Sequence, residues 1–193
     1  KRILKSLAII MTVVSCNDSN PFLAEWETPY GIPDFSAVQE KHYIPAVEAG
    51  IAQQQAEIEA IIANTEEPTF ANVVEAYEKS GAILDRVTGV LFNLSETDAT
   101  ASLQAIVEEV LPQLSVHSDN IFMNPDFYKK VEVLYNDMEN LGLNQEQKMV
   151  LKKLYNSFVK NGIALGEAEQ ARMREINMEL SSLSNTFGNR LLA

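Results

Sequence analysis

The sequence has little of several residue types that define whole classes of protein. It contains one cysteine among 193 residues, which excludes an intrachain disulfide framework. Glycine and proline number only 8 and 7, and no alternating polar and apolar run reaches the length of a strand. Apolar residues make up 46%, which is enough for an ordinary core. The composition therefore favours a helical globular protein and disfavours an all-β fold.

Basic residues are also scarce. Fifteen Lys and Arg residues oppose 27 Asp and Glu residues, so the net charge is −12. Lys1, Arg2 and Lys5 are all at the N-terminus, and without residues 1–15 the net charge is −15. Because nucleic-acid binding depends on basic surfaces that displace counterions from phosphates, we expect no nucleic-acid partner.

The first 16 residues have the pattern of an export signal. A basic start precedes the short apolar run 7–16, which is about half the length of a membrane-spanning helix. Val13-Val14-Ser15-Cys16 resembles the bacterial lipobox, in which the cysteine is lipidated and becomes the new N-terminus. We expect a signal peptide of the lipoprotein type at 1–15 and a lipid anchor on Cys16. An ordinary cleaved signal and an N-terminal helix with an incidental cysteine are the alternatives.

These expectations place the protein outside the cytoplasm, in the periplasm or cell envelope, held to a membrane through Cys16. The following residues, 16–40, are expected to form an irregular arm, because three prolines interrupt them. We expect the arm to pack on the domain surface, because a flexible tether has no use for its four aromatic residues: Phe22, Trp26, Tyr30 and Phe35. A tether with scattered aromatic residues is the alternative.

From residue 41 onwards, apolar residues recur at helical spacing. Thr69 and Asn144 have the character of N-caps, and Gln147 completes a capping box with Asn144. Six helices are predicted, at about 41–64, 69–94, 100–124, 125–140, 144–161 and 166–193. Within the second, Gly81 and Gly89 indicate close packing or a bend. Short connections between the helices predict an all-α, antiparallel multi-helix domain over 41–193.

Residues that could carry chemistry are few. His42 and His117 have no second ligand at metal-binding spacing, and no Gly-x-Ser-x-Gly elbow or phosphate-binding loop is present. We therefore predict no catalytic, cofactor-binding or metal-binding residue in this chain. His117 lies on an apolar helix face and is expected to be a hydrogen-bonded core residue, and His42 to pack or hydrogen-bond near a helix start.

Characteristic short segments are spread along the chain. They lie at 20–23 (Asn-Pro-Phe-Leu), 28–35 (Thr-Pro-Tyr-Gly-Ile-Pro-Asp-Phe), 42–46, 57–61, 68–72, 80–87, 127, 158–159, 176–177 and 189–193. Together they resemble the N-terminal region of the bacterial peptidyl-dipeptidases, or dipeptidyl carboxypeptidases. These enzymes are members of the thimet-oligopeptidase family of zinc metallopeptidases.

The resemblance implies a larger, two-lobed helical peptidase. In such an enzyme, zinc held by His-Glu-x-x-His and a further Glu activates water, and C-terminal dipeptides are released from oligopeptides. That motif is absent from this sequence. The resemblance thus implies a scaffold and channel-wall region that ends before the catalytic domain, with the zinc ligands outside it, and that is inactive alone.

Two other functions remain open from the sequence. One is an endo-acting oligopeptidase of the same family, and the other is a non-enzymatic helical lipoprotein that binds peptides. The expected partners are peptide substrates, with the whole protein a monomer.

Overall fold

The computed structural model describes residues 20–98 and 100–192. Its helices are α1 (Tyr43–Ala63), α2 (Ala76–Glu78), α3 (Ala82–Thr97), α4 (Ala101–Phe122), α5 (Pro125–Asn136), α6 (Gln145–Lys160) and α7 (Glu167–Leu192). Two short 3-10 turns, Pro29–Gly31 and Glu40–His42, precede α1, and a π-helical stretch, Phe70–Glu75, runs into α2. The described residues contain no strand, and the predicted all-α fold is confirmed.

Side-chain caps begin several of these helices where the sequence predicted them. Thr69 Oγ1 accepts a hydrogen bond from the Asn72 N–H at 3.1 Å. Asn144 Oδ1 accepts from the Gln147 N–H at 2.9 Å, while Gln147 Oε1 accepts from the Asn144 N–H at 3.1 Å. Each cap satisfies a backbone N–H that has no partner within the helix. The predicted capping box is confirmed.

The predicted second helix, 69–94, is wrong as a single element. It is interrupted before α3 by Gly81, which has a left-handed φ of 79°. A Cβ atom at Gly81 would lie 2.5 Å from the Gln54 side-chain nitrogen of α1. The break therefore lets the chain turn closely around α1, and the apolar periodicity on either side of it belongs to two separate helices.

Buried apolar side chains form two clusters. Cluster A joins the arm, the first half of α1, α3 and the first half of α4. Its residues are Phe22, Tyr43, Ala46, Val47, Leu84, Val87, Val90, Leu91, Leu103, Val107 and Val110. Cluster B joins the second half of α1, the π-helical stretch, the end of α4, α5 and α6. Its residues are Ile58, Ile61, Val73, Val74, Ile121, Phe127, Val131, Leu134, Leu151, Leu154 and Phe158. Helices α1 and α4 contribute side chains to both clusters and so connect them.

Helices α1 and α3 approach each other closely at Gly50. A Cβ atom there would lie 2.8 Å from the Leu84 nitrogen and 2.9 Å from its Cα atom. Backbone atoms cannot move aside as a flexible side chain can, so this position requires glycine. Gly89 in α3 differs, because a Cβ atom there would meet nothing within 4 Å.

These two glycines give a matched test of the packing. We expect Gly50→Ala to lower the free energy of unfolding by about 1–3 kcal/mol, because it forces α1 and α3 apart. We expect Gly89→Ala to raise it by about 0.5–1 kcal/mol, because alanine is the better helix former and has room. Urea unfolding followed by circular dichroism measures both, and equal effects of the two substitutions would contradict the described α1–α3 contact.

Candidate functional site

The predicted lipidation site, Cys16, and the predicted signal peptide, 1–15, lie outside the described residues. The described chain starts in the arm, where the Asn20 side-chain amide donates to the His42 carbonyl at 2.7 Å. None of the described helices has the length and apolar character that a bilayer-spanning segment needs.

The arm is anchored to the domain by its first aromatic residues. Phe22 is completely buried, and its ring lies 5.2 Å from that of Tyr43 at the start of α1. Trp26 packs beside it, with ring centres 6.3 Å apart, and the Trp26 indole N–H donates to the Pro21 carbonyl at 3.1 Å. The arm is therefore part of cluster A at this end.

Arg86 of α3 holds this part of the arm in place. Its guanidinium donates to the carbonyl oxygens of Phe22 and Ala24 at 2.8 and 2.7 Å. The same group lies 5.4 Å from the centre of the Trp26 ring, within the range of a cation–π interaction. The Arg86 side chain thus provides hydrogen bonds to two carbonyls of the arm that lie outside helices, and it also packs over the indole ring.

The expectation that all four aromatic residues pack is wrong for the second half of the arm. Tyr30 is 99% exposed, and Phe35 is about half exposed. Tyr30 is the only non-glycine residue with a positive φ, 64°, among those the structure describes. The Pro-Tyr-Gly turn directs the Tyr30 ring into solvent. The presence of an aromatic residue in the sequence did not predict this exposure.

A layer of polar side chains separates the two apolar clusters. Ser80 Oγ donates to the Tyr77 carbonyl at 2.7 Å, so it accepts from the Gln54 amide nitrogen at 3.2 Å. The Gln54 amide oxygen then accepts from His117 Nε2 at 2.8 Å. The layer therefore joins α1, the turn before α3, and α4.

His117 has the role that the sequence indicated. Its side chain is 6% exposed, and because Gln54 presents its oxygen, His117 carries its proton on Nε2. Burial lowers the pKa of the His117 imidazole, since the charged form would lose its hydration. The ring is thus neutral near pH 7 and acts as a hydrogen-bond donor inside the domain.

His42 also has a local structural role. Its Nδ1 atom accepts from the Gln39 N–H at 3.0 Å, beside the 3-10 turn that leads into α1. The described residues contain no group of three or more His, Cys, Asp or Glu side chains that could hold a metal ion. The residues present here do not fit a catalytic zinc site.

The last helix encloses a groove against α3 and α4. Asn177 of α7 donates to the buried Asp119 of α4 at 2.7 Å, and Arg174 donates to Asn120 at 3.1 Å. Beyond these contacts α7 continues antiparallel to α4 and leaves a groove of about 690 Å³. Apolar and polar side chains both line the groove. Helices α3 and α4 contribute Phe92, Ser95, Glu96, Gln104, Val107 and Leu111, and α7 contributes Ser181, Ser184, Asn185, Gly188, Asn189 and Leu191.

The groove has room for an apolar or hydrogen-bonding group. Glu96 is the only charged residue among the described side chains that line it. This carboxylate is therefore the one titratable group that the described lining offers to such a group.

Comparison with known proteins identifies what this framework is similar to. The chain is 34% identical over 174 residues to the dipeptidyl carboxypeptidase of Escherichia coli (strain K12), a match that covers 90% of the chain. The dipeptidyl carboxypeptidase of Salmonella typhimurium is likewise 34% identical, over 91% of the chain. Oligopeptidase A of Escherichia coli is 27% identical over 90% of the chain.

By sequence, the chain belongs to the thimet-oligopeptidase family. The resemblance that the short distributed segments indicated is thereby confirmed. No protein-family model matches the chain. The chain spans about a quarter of the length of the curated relatives it matches, with 26% of the Escherichia coli dipeptidyl carboxypeptidase covered.

Two residues that hold the domain together are not apparent from the sequence: Arg86 and Gln54. Arg86 lies within one of the family-like segments, and an arginine on a helix beside an irregular arm can donate to free carbonyls. Gln54 interrupts the apolar spacing of α1 between Ile51 and Ile58. In both cases the partner lies far away in the sequence, so only the fold reveals it.

The Arg86 contacts can be tested through the single tryptophan of the chain, Trp26. We expect Arg86→Gln to shift Trp26 fluorescence to longer wavelength and to cost about 1–3 kcal/mol of unfolding free energy, because two arm carbonyls lose a charged donor. Arg172→Gln is the matched control. Its ion pair with Glu175 is exposed at both ends and should contribute less than about 1 kcal/mol.

An unchanged Trp26 spectrum in Arg86→Gln would show that the arm is held without this side chain. A spectral shift in Arg172→Gln as well would show that the signal reports general charge loss and not release of the arm.

Proposed function

We propose that this chain is the N-terminal scaffold and channel-wall region of a zinc-dependent peptidyl-dipeptidase, which releases C-terminal dipeptides from oligopeptides. The observation that carries the proposal is the 34% identity to dipeptidyl carboxypeptidases, which extends over 90% of the chain. A match of this length covers far more of the chain than one short motif would.

Exo-acting release of dipeptides is favoured over internal cleavage by the ranking of the relatives. The two dipeptidyl carboxypeptidases are 34% identical to the chain, whereas the oligopeptidases A of the same two bacteria are 27% identical. An endo-acting oligopeptidase is the second candidate. It would share the framework and differ in how the end of the peptide is accommodated.

The zinc in this proposal is held outside the chain. The sequence contains no His-Glu-x-x-His segment, and His42 and His117 are each engaged in separate hydrogen bonds. Bound zinc in such an enzyme supplies a Lewis acid that activates water. The residues described here contribute rigidity, through α1 and α4, and surfaces that the rest of the protein can use.

We further propose that the protein is exported and lipid-anchored through Cys16. The basic and apolar N-terminus and the lipobox-like segment support this location. Phe22, six residues after Cys16, is completely buried in cluster A. An anchor on Cys16 would therefore hold the arm end of the domain close to the membrane, with little free chain between them.

The proposed activity is tested on the longer protein and on the 193-residue chain in parallel. We expect the longer protein to release dipeptides from a peptide with a free C-terminal carboxylate, to lose this activity to a chelator and to regain it with zinc. The 193-residue chain should release no dipeptide, with or without added zinc. Its two unmatched histidines cannot supply the three protein ligands that catalytic zinc usually takes. Product masses measured by mass spectrometry distinguish the outcomes.

The same peptide with a C-terminal amide is the control substrate. A peptidyl-dipeptidase should lose most of its activity on it, whereas cleavage inside the amidated peptide would favour the oligopeptidase alternative. Peptide binding without any cleavage by the longer protein would favour the non-enzymatic lipoprotein.

The anchor is tested by Cys16→Ala. We expect the variant to remain unprocessed or to leave the membrane fraction, because the sulfur that would accept the lipid is gone. Ser19→Ala, three residues further on, is the control and should fractionate as the unsubstituted protein does. Unchanged mature mass and membrane association in Cys16→Ala would contradict lipid anchoring at this residue.

A further inference from the structure

Helix α7 changes character along its length. Its first half carries six charged residues: Glu167, Glu169, Arg172, Arg174, Glu175 and Glu179. From 180 to 189 the sequence contains no charged residue at all. Six of these ten residues are uncharged but polar, and the large apolar side chains among them are Leu180, Leu183 and Phe187. The second half of α7 therefore combines an apolar stripe with a polar, uncharged remainder.

The apolar residues of this half do not serve the core of the domain. Leu180, Leu183, Phe187 and Leu191 form a stripe at helical spacing, and they are 59%, 57%, 65% and 71% exposed. We call these four residues the α7 stripe. The side chains that line the groove towards α3 and α4 are mainly small and polar, such as Ser181, Ser184 and Asn185. Leu180, Leu183 and Phe187 do not line that groove, whereas Leu191 does, so most of the stripe faces away from α3 and α4.

We propose that the α7 stripe is a docking surface for another part of the same polypeptide, in a protein of the length of its relatives. Exposed apolar residues arranged in one contiguous row mark interaction surfaces in soluble proteins. The chain covers only 26% of the length of the Escherichia coli dipeptidyl carboxypeptidase, so about three times as much polypeptide is available to cover the stripe. The proposal needs this longer polypeptide but not the proposed catalytic activity.

The chemistry of the stripe fits an apolar helix or loop better than a second copy of the chain. A stable interface between two copies buries roughly 800 Å² on each partner, which is far more than four side chains provide. Each copy also carries a net charge of −12, so two copies repel one another. A contact within one polypeptide can bury less area, because its parts are already covalently linked. It also does not bring two copies of net charge −12 together.

A lipid surface is also a poorer occupant. Helices that lie in a membrane interface carry Lys and Arg on the polar face beside the apolar face. Over residues 180–192, Arg190 is the only basic residue. Leu and Phe without flanking positive charge match a protein interior, so the expected covering segment is uncharged and rich in aliphatic or aromatic residues.

The experiment compares three substitutions in the longer protein. We expect Leu183→Glu and Phe187→Glu each to lower the melting temperature by several degrees, because each places a charge inside a dry contact. Val133→Glu is the matched control, since Val133 on α5 is 54% exposed and outside the stripe. In the 193-residue chain alone, none of the three should lower the melting temperature appreciably, because all three positions face solvent.

Hydrogen exchange of the unsubstituted proteins gives a second measurement that does not depend on the variants folding. We expect the amides of 180–189 to exchange at least about 100-fold more slowly in the longer protein than in the 193-residue chain. Equal exchange rates, or a Leu183→Glu effect no larger than that of Val133→Glu, would overturn the proposal.

Two results would assign the stripe to another occupant and so overturn the proposal as well. One is a dimer of the 193-residue chain in analytical ultracentrifugation that Leu183→Glu dissociates. The other is sedimentation of residues 17–193 with phosphatidylethanolamine–phosphatidylglycerol vesicles that Leu183→Glu abolishes. Loss of dipeptide release without any change in exchange or melting would concern the proposed function only.

Discussion

The domain depends on how α1 is held against its neighbours at Gln54. At this point the side-chain amide of α1 bridges Ser80, before α3, and His117 of α4. These hydrogen bonds link side chains of three separate elements at one level of the domain. A partly buried amide left without such partners would cost roughly 1 kcal/mol or more. The polar layer thus fixes the alignment that the two apolar clusters then stabilise.

Close backbone approach reinforces the same alignment. Gly81 leaves room for the Gln54 side chain, and Gly50 lets Leu84 approach α1. Helices α1 and α4 connect the two apolar clusters. The arm packs against cluster A, where the Arg86 guanidinium donates to the Phe22 carbonyl. Helix α7 attaches to α4 at Asp119 and then extends with an apolar stripe that no described residue buries. The described residues thus have a packed interior and one helix face with exposed apolar side chains.

Much of this fold was predictable, because the helices follow from patterns of residues that are close together in the sequence. The spacing of apolar residues and the caps at Thr69 and Asn144 depend on neighbours within four residues along the chain, so they predicted the helices closely. At Gly81 the sequence indicated close packing or a bend within one helix, but not a split into two. Apolar residues continue at helical spacing through both parts, and the reason for the break is a side chain of α1, 27 residues away. The candidate site was less predictable still, because the sequence signals an anchor and a family but no catalytic group.

By itself, the sequence determined the all-α class, the family and the absence of a complete zinc-binding motif from this chain, since composition, periodicity and local motifs carry that information. Only the tertiary structure decided which polar residues are buried and which apolar residues are exposed. His117 and Phe187 both lie on apolar helix faces in the sequence, yet the first is buried with a partner and the second is 65% exposed. Helical spacing defines a face of a helix, but what that face meets depends on packing between distant segments.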